Sequence, residues 1–185
     1  MRNETRRSAG SHRGLARRRA RNRQLAMTEI VFYRLAGQAL DRMLPALLEK
    51  SLARGWRAVV QGSSEERIEA LDAHLWTFRD DSFLPHGTWR EAVASDQPVL
   101  LTVHDDNPNR AEVRFLLERA PLPTNMSAYT RIIVLFDGED ADAVRDARGH
   151  WEQCKALGLN VTNWQADTAG RWQRMDHIVA PEDRF

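Results

Sequence analysis

The chain alternates short apolar runs with longer segments in which apolar residues recur every three or four positions. The first run is mostly β-branched or aromatic, which is typical of a strand. Gly55 stops the helical pattern that follows, and Ser64 with two glutamates after it provides the cap and acidic first turn of a second helix. The first four predicted elements are a strand at 29–35, a helix through 40–52, a strand at 56–61 and a helix through 68–76.

The second half of the chain predicts more strands and one more long helix. Residues 77–98 are rich in Asp, Pro, Gly and Ser, so they predict a long loop. Asp137 and Gly138 open the last helix, which runs to about Leu157, and Gly158 ends it as a C′ glycine would. The remaining strands are predicted at 98–104, 112–117, 131–136 and 160–165.

Strands that alternate with helices imply crossover connections and a largely parallel sheet with helices packed on it. We therefore expect an α/β fold, a three-layer Rossmann-like sandwich. The strands at 98–104 and 112–117 follow one another without a helix between them. This β-β stretch suggests at least one antiparallel or edge strand.

The formal net charge of +1 conceals two opposite parts. Residues 1–26 hold nine arginines and a single acidic residue, Glu4, whereas residues 27–185 hold 18 basic and 25 acidic side chains. An acidic body repels polyanions, so we expect no strong direct nucleic-acid binding by the body. The basic segment is interpreted as a disordered extension produced by an early start codon, or else as an arm that contacts DNA.

The 185 residues are enough for one domain, which we place at 27–167, with a loose C-terminal segment at 168–185. No apolar run is long enough for a membrane span, and the basic start lacks the apolar stretch of a signal peptide. Cys154 is the sole cysteine, so an intrachain disulfide is excluded and a reducing cytoplasm is expected.

The sequence contains few motifs that suggest catalysis, cofactor binding or metal binding. A single glycine, Gly37, follows the first strand, so neither glycine-rich phosphate-binding motif is present and no nucleotide cofactor is expected. No metal site is expected either, because His150 and Cys154 supply only two ligands. The alternative function is an α/β enzyme of unknown reaction, with a site at the strand ends near His104, Asp105 and Asp137. Such residues more often form ordinary turns.

Three stretches carry a resemblance to a known family. They are the strand and leucine-rich helix that open the body, the segment at 70–86 (ALDAHLWTFRDDSFLPH), and the helix end at 155–158 (KALG). On these residues the body from Met27 resembles the chi subunit of bacterial DNA polymerase III, an accessory protein of the clamp-loader assembly. The resemblance implies a Rossmann-like fold without catalysis. It also implies a bridge in DNA replication between the clamp loader, through the psi subunit, and the acidic C-terminal tail of single-stranded DNA-binding protein.

The resemblance places the arginine that binds this tail at Arg148 and an aromatic residue at Trp151. It departs at Glu152, where the family has a lysine; Lys155 and Arg145 are the cations that could compensate. The spacing of 148, 151 and 155 allows one helix face to present two cations around a ring. The alternative is that Trp151 belongs to an apolar stripe with Val144, Ala147 and Cys154 and merely packs.

Trp76 and Phe83 match an aromatic pair that the family uses to hold psi, another clamp-loader component or a helicase. The alternative is that these rings, with Phe78, attach the long loop to the core. The segment at 181–185 (PEDRF) loosely mimics the expected tail peptide. It predicts either self-occlusion of the tail site or, more simply, a solvated end.

Overall fold

The computed structural model describes residues 28–36, 39–166 and 171–178. The basic segment at 1–26 and the residues at 179–185, including the tail mimic, lie outside the described residues. Three helices and eight strands are present in this part of the chain. In chain order they are β1 (Glu29–Leu35), α1 (Ala39–Ala53), β2 (Ala58–Gln61), α2 (Glu65–Thr77), β3 (His86–Thr88), β4 (Val99–Thr102), β5 (Val113–Leu117), β6 (Arg131–Asp137), α3 (Ala141–Ala156), β7 (Asn160–Ala166) and β8 (Trp172–Met175).

The strands form one sheet in the order β3-β4-β2-β5-β6-β1-β7-β8. Every pairing is parallel except that of β7 with β8, so the predicted α/β class with a mostly parallel sheet is confirmed. The prediction of at least one antiparallel or edge strand is confirmed by β8, which pairs antiparallel at one edge of the sheet, but not by the β-β stretch that suggested it. β4 and β5 lie on either side of β2, and both run parallel to it.

Two further elements differ from the sequence prediction. The predicted loop at 77–98 contains the short edge strand β3 and a 3₁₀ turn at Ala94–Asp96. The predicted loose segment from 168 instead supplies β8, which pairs antiparallel with β7. Ile178, which follows β8, is 3% exposed and packs into the core, so this part of the chain belongs to the folded body.

The sheet buries a separate apolar cluster on each face, because successive residues of a strand point to opposite sides. Val31 and Leu35 of β1 belong to the cluster that also holds apolar residues of α1 and α2. Ile30 and Phe32 belong to the other, which holds the apolar stripe of α3. Two helices therefore pack on one face and α3 packs on the other.

A turn after β5 connects the two helical layers. Glu118 (φ 45°) and Arg119 (φ 70°) both adopt left-handed backbone conformations, and Ala120 N–H donates to Leu117 C=O at 3.0 Å. Arg67 of α2 donates to Glu118 at 2.7 Å, and Arg119 donates to Asp146 of α3 at 2.6 Å. These ion pairs offset part of the cost of two unfavourable backbone conformations, about 1–3 kcal/mol each.

Candidate functional site

Helix α3 presents a buried stripe to the sheet and a charged face to solvent. Asp140 caps its start, because the carboxylate accepts from the N–H groups of Asp142 at 2.9 Å and Ala143 at 3.2 Å. Residues of the predicted apolar stripe are all buried: Val144, Ala147, Trp151 and Cys154. We call the opposite surface the α3 face; it consists of Arg145, Arg148, Gly149, Glu152 and Lys155, all exposed.

The cations of the α3 face differ in how they are paired. Arg145 forms an ion pair with Asp142 one turn earlier. Arg148 has no hydrogen-bond or ion-pair partner among the described residues. The Lys155 ammonium lies 5.6 Å from the centre of the Trp151 ring, within the range of a cation–π contact. Glu152 forms no ion pair within the part of the chain that the structure describes, although it lies between Arg148 and Lys155 on the helix surface.

Trp151 lies mainly in the core. Its side chain is 4% exposed, and its ring packs edge-on against Phe32 of β1 with 5.4 Å between ring centres. This is the packing that its place in the apolar stripe predicts. The ring thus holds α3 against the sheet and lies beneath Lys155, while direct contact between Trp151 and a peptide stays a prediction.

Gly149 is a further feature of the α3 face, and it was not among the residues predicted from the sequence. Glycine inside a helix costs about 1 kcal/mol relative to alanine. A Cβ atom at Gly149 would meet nothing within 4 Å, so no neighbouring atom requires a glycine here. Its effect is to leave bare backbone between Arg145 and Glu152, which permits another chain to approach the helix closely. A glycine within an otherwise helical pattern is the signal that could have drawn attention to it.

A second candidate surface lies at the end of α2. Trp76 is 58% exposed and Phe83 is 73% exposed, and their ring centres are 6.1 Å apart. Phe78 is half-buried and packs against the core, so of the three rings it is the one that attaches the loop. The structure thus brings Trp76 and Phe83 together as an exposed aromatic pair.

The buried side chain of His86 packs against Trp76 of this pair. The imidazole is fully buried, with Nδ1 2.7 Å from the Leu84 carbonyl oxygen and the ring centre 4.9 Å from that of Trp76. Nε2 lies 3.4 Å from an Asp72 carboxylate oxygen. Trp76 therefore rests on a rigid imidazole, which limits the orientations that its exposed ring can take.

Comparisons with known proteins agree with this architecture. Residues 27–162 match the family model described as DNA polymerase III chi subunit, HolC. The chain belongs to the DNA polymerase III chi subunit family. A "Probable DNA polymerase III subunit chi" from Rickettsia prowazekii (strain Madrid E) is 23% identical over 117 residues, which are 60% of this chain and 71% of the relative. A DNA polymerase III subunit chi from Pseudomonas aeruginosa is 26% identical over 113 residues, 58% of this chain and 78% of the relative.

Membership of the chi subunit family gives this chain a role in DNA replication, as an accessory subunit of the polymerase complex. No described helix is both long and apolar enough to cross a membrane. In the same described ranges, no group of three or more His, Cys, Asp or Glu side chains is arranged to hold a metal ion.

The fold keeps Asp137 apart from His104 and Asp105, the other residues of the alternative enzyme site. His104 follows β4 and Asp137 ends β6, and three strand spacings, roughly 14 Å, separate those strands. Asp105 accepts from the backbone N–H and the hydroxyl of Thr124, so it closes a loop. Asp137 accepts from the backbone N–H of Glu139 at 2.8 Å in the turn before α3.

Arg114, which was not among the residues predicted from the sequence, explains the conformation of the segment at 104–106. Its side chain is fully buried in β5, where it donates to Gln61 Oε1, to the hydroxyl of Tyr129 and to the backbone carbonyls of His104 and Asp106. No carboxylate among the described residues forms an ion pair with it. The guanidinium thus fixes the backbone of the segment that carries the proposed acid–base residues. The sequence feature that could have indicated this role is a single arginine within the otherwise apolar strand β5.

Proposed function

We propose that this chi subunit is a non-catalytic bridge of the replication machinery in the bacterial cytoplasm. One surface, the α3 face, binds the acidic C-terminal tail of single-stranded DNA-binding protein. The other, the aromatic pair, binds the psi subunit where one is present, another clamp-loader component or a helicase. Both lie on a Rossmann-like three-layer fold without a nucleotide-binding motif.

The observation that carries the tail-binding proposal is the unpaired guanidinium of Arg148, exposed on a body whose net charge is negative. An arginine offers a planar fork that matches a carboxylate. Arg145 and Lys155 lie one turn before it and two turns after it, so an acidic peptide that lies along α3 would meet three cations in succession.

Glu152 places a negative charge among the cations of the α3 face. Its carboxylate lies between Arg148 and Lys155 and reduces the positive potential there, so the peptide's acidic groups would engage the two cations separately. Gly149 gives the peptide backbone room beside Arg148. In this arrangement Trp151 acts chiefly by holding α3 in place and by positioning the ammonium of Lys155.

The aromatic pair supports the partner-binding half of the proposal. Exposed tryptophan and phenylalanine side chains that lie together are typical anchors of protein interfaces. Two weak contacts on one small subunit gain apparent affinity through effective concentration, without any chemistry. This is what a bridge between a polymerase assembly and protein-coated single-stranded DNA requires.

The tail contact is tested by measuring binding of the intact chain to the host's full-length single-stranded DNA-binding protein. Arg148→Ala should weaken binding at least fivefold, and Arg42→Ala, which removes an exposed arginine on α1, should not change it. Unchanged binding by Arg148→Ala would overturn the assignment of the α3 face.

The partner contact is tested by capture of psi or of the clamp loader on the immobilised chain. A Trp76→Ala/Phe83→Ala double variant should lose capture and retain the tail contact. Val93→Ala, at another exposed apolar residue (51% exposed), is the control and should behave as the parent. Retained capture by the double variant would contradict the proposed surface.

A further inference from the structure

A cavity of about 380 Å³ opens at the carboxyl ends of β1 and β6. The chain leaves β1 toward α1 on one face of the sheet and leaves β6 toward α3 on the other. Such a divergence leaves a crevice at the edge of an α/β sheet, and ligands bind in crevices of this kind. The volume is within the range of small-molecule sites.

The lining combines apolar walls with an excess of negative charge. Leu35, Leu135 and Phe136 contribute apolar surface. The charged groups are Asp41 in the first turn of α1, Glu118 after β5, Asp137 at the end of β6, and Arg67. Arg67 donates to Glu118 at 2.7 Å, which neutralises one carboxylate. Asp41 forms a longer ion pair with the same guanidinium at 3.8 Å, and Asp137 forms no ion pair with a described residue, so three carboxylates face one guanidinium.

This charge distribution is the reverse of what a phosphate-binding crevice needs. A nucleotide site at this place presents backbone N–H groups from a glycine-rich turn to an anion. Here carboxylates of α1 and β6 face the crevice, so a phosphate would be repelled. The same geometry favours a cation whose apolar portion contacts the leucines and whose charged head lies between Asp41 and Asp137.

We propose that this cavity binds a guanidinium or ammonium group carried on a short aliphatic stem. Such a group belongs either to the side chain of an arginine or lysine or to a free small amine. The site uses none of the residues of the α3 face or the aromatic pair, so it is independent of the bridging function.

The test is titration of the intact chain with n-butylguanidinium, followed by amide NMR and calorimetry. Pentanoate, of similar length and opposite charge, is the matched ligand control. Butylguanidinium should shift the amide signals of Leu35, Asp137 and Gly138, and its affinity should fall as salt is raised. Pentanoate should produce no shift at these residues. Equal binding of pentanoate, shifts confined to other residues, or no binding at millimolar ligand would each overturn the proposal.

Amide variants of the cavity carboxylates test which of them contacts the bound cation. Asp137→Asn retains an oxygen that can accept from the Glu139 N–H, so the turn is preserved, yet it should weaken butylguanidinium at least fivefold. Asp41→Asn should also weaken it. Asp80→Asn, at an exposed carboxylate on the loop after α2, should have no effect. Unchanged affinity in both cavity variants would overturn the proposal.

A blocked Gly-Arg-Gly peptide separates the two sources of the cation. If the peptide competes with butylguanidinium, the site takes an arginine side chain of a polypeptide. If butylguanidinium binds and the peptide does not, the site takes a free small cation.

Discussion

Replacing Arg114 with methionine should lower the free energy of unfolding by about 3 kcal/mol. The substitution keeps the aliphatic volume and removes the donors that satisfy two groups in the core, Gln61 Oε1 and the Tyr129 hydroxyl, each on a residue 2% exposed. A buried polar group left without its partner costs about 1–3 kcal/mol. The two together cost about 2–6 kcal/mol, and relief from burying a positive charge offsets part of that. The carbonyls of His104 and Asp106 lie nearer the surface, where water replaces the lost donor.

The assay is urea unfolding of the parent and of Arg114→Met, with Arg42→Met as the exposed control that should change stability by less than about 0.5 kcal/mol. A loss of 3 kcal/mol corresponds to a fall in Tm of roughly 6–12 °C for a chain of this size. A loss below about 1 kcal/mol would refute the reasoning, because it would mean that the hydrogen bonds from Arg114 to Gln61 and Tyr129 contribute little to the free energy of unfolding.

The same variant has an independent signature in the titration of Tyr129. Burial raises the pKa of Tyr129, and the positive charge of Arg114 partly opposes that rise. Arg114→Met should therefore raise the pKa of Tyr129 further, as followed by ultraviolet absorption of the tyrosinate. An unchanged or lowered pKa would mean that the guanidinium does not lie beside the hydroxyl.

Three further predictions concern α3. Gly149→Ala should raise the free energy of unfolding by about 0.5–1 kcal/mol in urea unfolding, since a Cβ there meets open space; a loss of stability would contradict the described surface. Burial raises the pKa of Cys154 to about 11, so iodoacetamide at pH 8 should label the native thiol far more slowly than the urea-unfolded one; equal rates would refute this burial. Burial lowers the pKa of His150. As the pH falls through 6.5, the unfolded chain therefore binds a proton at this histidine more readily than the folded chain does, and the free energy of unfolding should decrease. His150→Gln should reduce that fall between pH 7.5 and 5.5, and an identical pH dependence in parent and variant would contradict it.

The elements with strong periodicity were predictable, and the weak edges of the sheet were not. β1, β6 and the helices combine long apolar patterns with caps or terminal glycines, which are local signals. β3 is three residues long and contains Gly87, and β8 is exposed and polar apart from Trp172 and Met175, so neither shows a period of two. Both form because a neighbouring strand offers hydrogen-bond partners, which is a tertiary effect.

The place of the antiparallel strand was not predictable for a related reason. The segment between β4 and β5 has no helical pattern, which suggests an antiparallel or edge strand there when the sequence is taken alone. In the fold it instead crosses β2 as irregular chain. The buried amide of Asn109 donates to the carbonyls of Ala58 and Gln97 and so attaches that chain to the sheet.

For the candidate sites, the sequence indicated the residues but not their exposure. The apolar stripe of α3 correctly placed Trp151 in the core, and the resemblance drew attention to Arg148 beside it. Whether Trp76 and Phe83 face solvent depends on the path of the loop between them and on the imidazole of His86 below, which no local pattern encodes. The cavity at the ends of β1 and β6 brings together residues from four elements and one turn, so it appears only in three dimensions.

The central claim is tested most directly by titrating a labelled peptide that copies the last ten residues of the host's single-stranded DNA-binding protein into the intact chain. The same peptide with its acidic residues replaced by the matching amides is the control. We expect micromolar-range binding that needs the acidic residues and weakens with added salt, because cations of α3 contact the acidic groups. No binding, or equal binding of the two peptides, would contradict the proposed bridge.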